Sequence, residues 1–367
     1  MRFRVGQAAL LNELQFLQGI AEKKKTIPIL SNILLRAKEG WLTLAATDLE
    51  VSLTAGCESA VEASGGITVS AKKLFEVVRS LPEEEIEVAL EEGNWLELRC
   101  GKAQFRLVGL PPEDFPEVPE MDFSGAVKLN YRGFKELIGR TIFAVTREDA
   151  RYALNGALLE MAGGTVRMVA TDSHRLAVVE SKLEEDSLEV RVIVPRKTLV
   201  ELRSLGNGEE LLFGQDEHHL FFNIGHRTLA SRVIEGQFPA YEKVIPVDNP
   251  VEARFQTEEM SAALRRVSLL ASERSRAVKF SFSKNEAVVE SSNPELGEAK
   301  ESVTITYNGE EMQISFNAQY LLDFLASVGT DSIVLHLKDP ASQALFLPAK
   351  EAREKSLYQY VVMPMRT

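Results

Sequence analysis

The chain has 367 residues, of which 45% are hydrophobic and 26% charged. That is the composition of an ordinary folded protein with length for two or three domains. Its 42 lysines and arginines face 54 aspartates and glutamates, a net charge of −12 that argues against a surface built throughout for phosphates.

In chain order, Met1-Arg2-Phe3-Arg4-Val5 reads as a strand rather than a signal peptide. Cys57 and Cys100 are therefore expected as free thiols in a reducing cytosol. From Ala8 to Ala21, Leu10, Leu14 and Leu17 keep the three-and-four spacing of one buried helical face. Trp41 to Ala46 and Trp95 to Cys100 alternate as strands. Between them a second helix buries Phe75 and Val78, and a proline-rich acidic connector runs from Pro111 to Met121. The same order follows twice more. A helix is predicted from Tyr131 to Val145 on Leu137, Ile138 and Ile142, and one on Leu199 and Leu202. After a connector from Pro239 to Pro250 come helices from Thr257 to Ala271 and around Leu322 and Leu325. No stretch approaches the roughly 20 apolar residues of a membrane span. No cysteine–histidine cluster has metal spacing, so no metal or cofactor is expected.

The elements recur at a fixed period. Val69-Ser70-Ala71-Lys72-Lys73-Leu74-Phe75 corresponds to Ile193-Val194-Pro195-Arg196-Lys197-Thr198-Leu199, 124 residues on, and a third copy starts at Phe316-Asn317-Ala318. Ala46-Thr47-Asp48 recurs as Ala170-Thr171-Asp172, with Ser292-Asn293-Pro294 near the equivalent place; Phe115-Pro116 recurs as Phe238-Pro239 and then Met363-Pro364. Three tandem α+β copies, helices on one face of antiparallel sheet, fill the chain. Charge is segregated among them. Lys72, Lys73 and Arg79 match Arg196, Lys197 and Arg203, and positions seven apart share a helical face, expected to lie away from Phe75 and Val78. Acidic runs such as Glu83-Glu84-Glu85 fall in turns. Such helices are either plain solvated faces or phosphate contacts that read no bases.

Thr26-Ile27-Pro28-Ile29-Leu30-Ser31-Asn32, Thr171-Asp172-Ser173-His174-Arg175-Leu176, Val194-Pro195-Arg196-Lys197 and Tyr360-Val361-Val362-Met363-Pro364-Met365-Arg366 make the chain resemble the bacterial DNA polymerase III beta subunit family, the replicative sliding clamps. The likeness runs from Met1 to Thr367. It implies three clamp domains, at 1–120, 121–247 and 248–367, and a head-to-tail homodimer closing a six-domain ring. Helices would line the hole, sheets would form the wall, and duplex DNA would thread it without sequence readout. It implies a non-catalytic, cytoplasmic processivity factor, opened by an ATP-dependent clamp loader, that tethers the DNA polymerase III alpha subunit and other partners carrying a motif like Gln-Leu-x-Leu-Phe.

Three sets of residues carry over from the resemblance. DNA contacts fall on Lys24, Lys73, Arg79, Arg196, Lys197 and Arg203. Ring closure places Lys73, Lys102, Phe105 and Leu107 against Leu269, Leu270, Glu295, Glu298 and Glu301, with Lys73 claimed by both surfaces. The partner-peptide cleft takes Leu154, Thr171, His174, Arg175, Leu176, Pro239, Val244, Val361, Met363, Pro364, Met365 and Arg366, with Asn317 and Tyr320 at its edge. Ala153 where an aromatic is usual, Ser173 for a glycine and Thr367 for a leucine depart from the family pattern.

Two rival readings come from the residues. Thr171-Asp172-Ser173-His174 packs an acid, a hydroxyl and an imidazole together, but catalytic triads are built in space rather than by adjacency, and strand neighbours point to opposite faces. A three-repeat scaffold that binds proteins and never encircles DNA would suit the net charge of −12.

Overall fold

The computed structural model describes residues 1–21, 27–146, 152–183, 189–307, 309–349 and 357–366. The first repeat runs β1 (Arg2–Gly6), α1 (Gln7–Ile20), β2 (Asn32–Lys38), β3 (Trp41–Thr47), β4 (Val51–Glu58), β5 (Ala60–Ala63), β6 (Gly65–Ser70), α2 (Ala71–Ser80), β7 (Glu85–Glu91), β8 (Trp95–Cys100) and β9 (Ala103–Leu110). The second runs β10 (Val127–Asn130), α3 (Tyr131–Gly139), β11 (Gly156–Ala162), β12 (Thr165–Thr171), β13 (Arg175–Lys182), β14 (Val190–Pro195), α4 (Arg196–Ser204), β15 (Glu210–Gln215), β16 (His219–Ile224) and β17 (Arg227–Arg232). The third runs β18 (Val251–Gln256), α5 (Thr257–Val267), β19 (Ala277–Ser283), β20 (Glu286–Asn293), β21 (Gly297–Thr304), β22 (Thr306–Tyr307), β23 (Met312–Asn317), α6 (Ala318–Val328), β24 (Ser332–Leu337), β25 (Ala344–Pro348) and β26 (Leu357–Val362). Every repeat keeps the strand–helix–strands–helix–strands order read from the sequence.

The helices form where the periodicity places them, with three differences. In α1, Leu10, Leu14, Leu17 and Ile20 are buried as spaced. Helix α3 is shorter than predicted and stops at Gly139. The Thr141 hydroxyl there donates back to the Leu137 carbonyl at 2.8 Å, and a 3₁₀ turn, Ile142–Ala144, follows. Helix α5 likewise stops at Val267 and tightens into Ser268–Leu270. In α6 the buried stripe is Leu321, Phe324, Leu325 and Val328, so Leu322 is only half-buried. Its phase is set by Asn317, whose side chain caps the Gln319 N–H at 2.9 Å.

The described chain falls into two compact units that cut across the second repeat: 1–132 with 197–233, and 133–196 with 234–367. In the first, one antiparallel sheet runs β10-β15-β16-β17-β4-β3-β2-β6-β9-β8-β7-β1-β5. In the second, a sheet runs β14-β11-β12-β13-β26-β25-β24-β18-β22, beside a smaller one, β21-β20-β19-β23. The cause is the same pairing made twice. The last strand of repeat two, β17, adds to β4 of repeat one, with Ala230 opposite Ser52. The last strand of repeat three, β26, adds to β13 of repeat two, with Val361 opposite Leu176. Cys57 and Cys100 are free and buried.

Candidate functional site

The repeated Thr-Asp pair builds a turn. Thr171 Oγ1 donates to the Arg175 carbonyl at 2.6 Å and accepts from Ser173 N–H at 3.1 Å. Asp172 Oδ1 accepts from the N–H groups of His174 and Arg175 at 3.0 and 3.1 Å. Ser173 is thereby held at φ 75°. This is the local logic of aspartate and threonine in turns. It engages Asp172 and Thr171 in the hydrogen bonds of the turn itself.

Arg175 is the hub beneath the turn. Its side chain is only 10% exposed. Nε donates to Asp172 at 2.9 Å, Nη1 to Asp323 at 2.6 Å and Nη2 to the Phe143 carbonyl at 2.5 Å, and the guanidinium lies 4.3 Å over the Tyr320 ring. A planar five-donor fork suits such a convergence. Arg175 and Tyr320 therefore belong to the support of the site, together with Asp323 and Phe143, which sequence reasoning missed.

Above this hub the second unit holds a cavity of about 220 Å³. Thr171, Ser173, His174, Arg175, Leu176, Pro239, Tyr241, Val244, Val361 and Met363 line it. Leu176 and Val361 are buried in the floor beside Leu154, while Val244 and Met363 are 40% and 43% exposed at the mouth. Met363 N–H donates to the His174 carbonyl at 2.9 Å, and Met365 N–H to Ser315 at 2.8 Å, which pins the C-terminal segment alongside. Asn317 is committed to capping α6, and Pro364 and Arg366 do not line the cavity. Tyr241 is the lining residue that the sequence reading overlooked; it stands two positions after Pro239 of the recurrent Phe238-Pro239. Its hydroxyl donates to Glu160 at 2.7 Å and accepts from Arg167 at 3.0 Å, and burial pushes its phenol up to about 12.

The basic helices are more committed than the sequence suggests. Arg79 does not point away from the buried stripe, since its guanidinium lies 5.2 Å over the Phe75 ring. Lys73 is paired with Glu76 at 2.8 Å and Lys197 with Asp48. Arg203 is exposed on α4 and Arg196 is half-buried at its start. Lys24 and Thr367 lie outside the described residues.

The residues expected at ring closure fall in two places, on and beside β9 and on and beside β21. On β9, Phe105 and Leu107 are half-buried, and Lys102 stands exposed in the preceding turn. Leu269 is 76% exposed at the end of α5, Leu270 is half-buried, and Glu295 and Glu298 are exposed ahead of and on β21. Glu301 is engaged in its own chain, accepting both Nε and Nη2 of Arg266 at 2.8 and 2.5 Å.

Fold and site define a class: a threefold α+β repeat joined through its sheets, with a small apolar pocket at one join. Three family models match it in order: the DNA polymerase III beta subunit N-terminal domain over 1–119, its central domain over 128–240 and its C-terminal domain over 242–366. The Beta sliding clamp of Pseudomonas aeruginosa is 38% identical over 374 residues and that of Escherichia coli K12 36% over 370, each alignment covering all of both chains. The crystal structure of the Pseudomonas aeruginosa DNA polymerase III subunit beta superposes with a TM-score of 0.94 at 38% identity. A Caulobacter crescentus beta sliding clamp gives 0.93 at 35%. Both cover the full length of both chains. The chain belongs to the DNA polymerase III beta subunit family, the DNA sliding clamps. Among the described residues no cluster of three potential metal ligands occurs, and no helix is long and apolar enough to cross a membrane.

Proposed function

We propose that two copies of this chain close head to tail into a ring around duplex DNA, each with three clamp domains at 1–120, 121–247 and 248–367. The observation that carries the reading is a pair of unused strand edges. The last strand of repeats two and three is capped by a middle strand of the repeat before, but the last strand of repeat one, β9, pairs only with β8 along residues 103–108. Its remaining contact, with β6, is confined to residues 109 and 110. The matching strand of repeat three, β21, is likewise an edge. One open edge of each kind per chain is the requirement for a heterologous contact that closes. Lys102 with Phe105 and Leu107 on one side, and Leu269 with Glu295 and Glu298 on the other, offer opposite charges around an apolar seam. Each leucine buried there contributes about 1.5–3 kcal/mol.

Arg79, Arg196 and Arg203 are the cations assigned to DNA, through phosphate alone. The pocket over Leu176 and Val361 receives a short linear motif of the Gln-Leu-x-Leu-Phe kind from the polymerase alpha subunit, the clamp loader and other partners. The flexible thioether of Met363 suits several occupants. The protein itself is a non-catalytic, cytoplasmic processivity factor in this reading, holding the polymerase at high effective concentration.

The test is retention on DNA. Loaded clamp should stay on closed circular DNA and run off after linearisation; equal retention on both would sink encirclement. Leu269→Asp should yield monomers by analytical ultracentrifugation, and a dimer that survives it would refute the edge assignment.

A further inference from the structure

The sheet face next to the pocket of the second unit has a counterpart in the first that was built differently. Leu34, Ala45 and Phe115 form a small buried cluster against which Val118 packs. Stepping on by 124 residues for the strands and 123 for the connector gives Leu158, Val169, Phe238 and Tyr241, all in the core beneath the second-unit pocket. The register agrees, since Leu34 pairs with Ala45 as Leu158 pairs with Val169.

In the second repeat this sheet face is roofed over. Arg167 spans it, donating to Glu180 at 2.9 and 2.5 Å and to the Tyr241 hydroxyl, which itself bonds Glu160. In the first repeat three of the four roofing positions are smaller, Thr43 for Arg167, Gly56 for Glu180 and Val118 for Tyr241, with Arg36 for Glu160, and the Trp41 indole lies over Gly56. A floor position shrinks too, Ala45 for Val169. What results is an open groove of about 950 Å³ between the Pro112–Glu120 connector and the face of β2, β3 and β4. That is the upper end of the size of small-ligand sites.

We propose that this groove is a second docking site, for a short basic segment of a partner protein with an aliphatic anchor. The anchor would rest on Ala45 and Val118. The charge comes from the rim, where Glu113, Glu117 and Glu120 line the connector, all exposed and none ion-paired among the described residues. Asp216 faces them, its carboxylate accepting the N–H groups of His218 and His219 and lying 3.4 Å from the His219 ring. Arg36 is the opposing cation of the lining, and His219 adds charge only when protonated. Four carboxylates around one arginine select a cationic occupant, and two of the connector's prolines, Pro116 and Pro119, hold the wall extended without ordering cost on binding. This selectivity is opposite to that of the apolar second-unit pocket.

The probe is a fluorescein-labelled peptide alternating arginine with leucine and proline, with a second peptide carrying glutamate for arginine. Anisotropy with the full-length protein should show salt-sensitive binding of the first alone. Writing the roof of the second repeat into the first, as Thr43→Arg with Val118→Tyr, should weaken binding by about tenfold or more. The milder Glu113→Gln, Glu117→Gln, Glu120→Gln variant, which leaves the packing intact, should weaken it comparably. Met363→Asp, in the other pocket, should change nothing. Binding that survives both groove variants, that is lost with Met363→Asp, or that fails to occur at all would overturn the proposal.

Discussion

At the first join Arg232 N–H donates to the Glu50 carbonyl, and at the second Met363 N–H donates to His174, both at 2.9 Å. Around these identical hydrogen bonds the two joins are finished with different side chains. In the first, Arg227 from β17 reaches α1, donating to both carboxylate oxygens of Glu13 at 2.7 Å while its guanidinium lies 4.0 Å over the Phe16 ring. In the second, the strand position that matches Arg227 by register is Tyr358, and positions 124 beyond Glu13 and Phe16 are Leu137 and Arg140. Cation and ring have exchanged elements: the Arg140 guanidinium lies 5.6 Å over Tyr358, whose hydroxyl donates to the Arg140 carbonyl. Repetition thus preserves backbone pairing, while the side chains are free to differ: the first join is tied by Arg227 and Glu13, the second by Arg175 and Asp323 beside an apolar pocket. In the second join Leu176, Val361 and Met363 line a pocket, where the register of the first join places Ser52, Ala230 and Arg232.

The largest effect that would break this contrast is removal of one buried partner. Glu13→Ala should cost about 3–5 kcal/mol by stranding the Arg227 charge, read as a drop in Tm. Burial pushes the Glu13 carboxyl up, but hydrogen bonds from Arg227 and His226 and their charges outweigh it, and its titration lies below the ordinary carboxylate range. A group so lowered adds stability that is complete above its unfolded pKa of about 4.3 and fades as pH falls through the folded value. Glu13→Gln should therefore flatten the loss of Tm in acid, and an unchanged acid slope would remove Glu13 from the account.

Next in size, Leu176→Ser with Met363→Arg transplants the first join into the second. With about 1.5–3 kcal/mol for each of the two lost apolar contacts, binding of a Gln-Leu-x-Leu-Phe peptide should weaken by roughly a hundredfold or more. Ultracentrifugation should still show the oligomeric state of the unaltered protein; a changed state would mean the pocket is not a separate site.

A smaller difference is expected between the two turns. Asp48 caps the N–H groups of Glu50 and Val51 much as Asp172 caps those of His174 and Arg175. Asp172→Asn also loosens Arg175 beneath the pocket and should weaken peptide binding, whereas Asp48→Asn, which releases Lys197, should not. Equal peptide affinities would show that Arg175 does not position the pocket wall. Smallest of all, Leu49 at φ 74° and Ser173 at φ 75° both sit in the left-handed region. Leu49→Gly should raise stability by no more than about 1 kcal/mol, because strain relief is offset by the entropy of glycine. A lowered Tm would show that the half-exposed leucine makes a contact of value.

Part of the site was legible because it is local. The Thr-Asp turn is a contiguous string whose geometry is set by residues within four positions, whereas Met363 and Pro239 were named from the family resemblance. Asp323, Phe143 and Tyr241 were not legible, since an arginine fork collects partners from helices and connectors far apart in the chain, with no spacing rule to announce them. Leu322 was misplaced for a related reason: one residue of helical phase, set by the cap at Asn317, decides which leucine faces inward.

By itself the sequence determined the threefold α+β repeat, the buried faces of most helices and the segregation of charge, because periodicity and propensity act over a few residues and recur at a 124-residue step. Only the tertiary structure decided which strand caps which, which arginines are spent on neighbouring carboxylates and rings, and which sheet face is roofed or left open. Those outcomes depend on strand order and on side-chain volume across repeats, and neither is a property of any one stretch of chain.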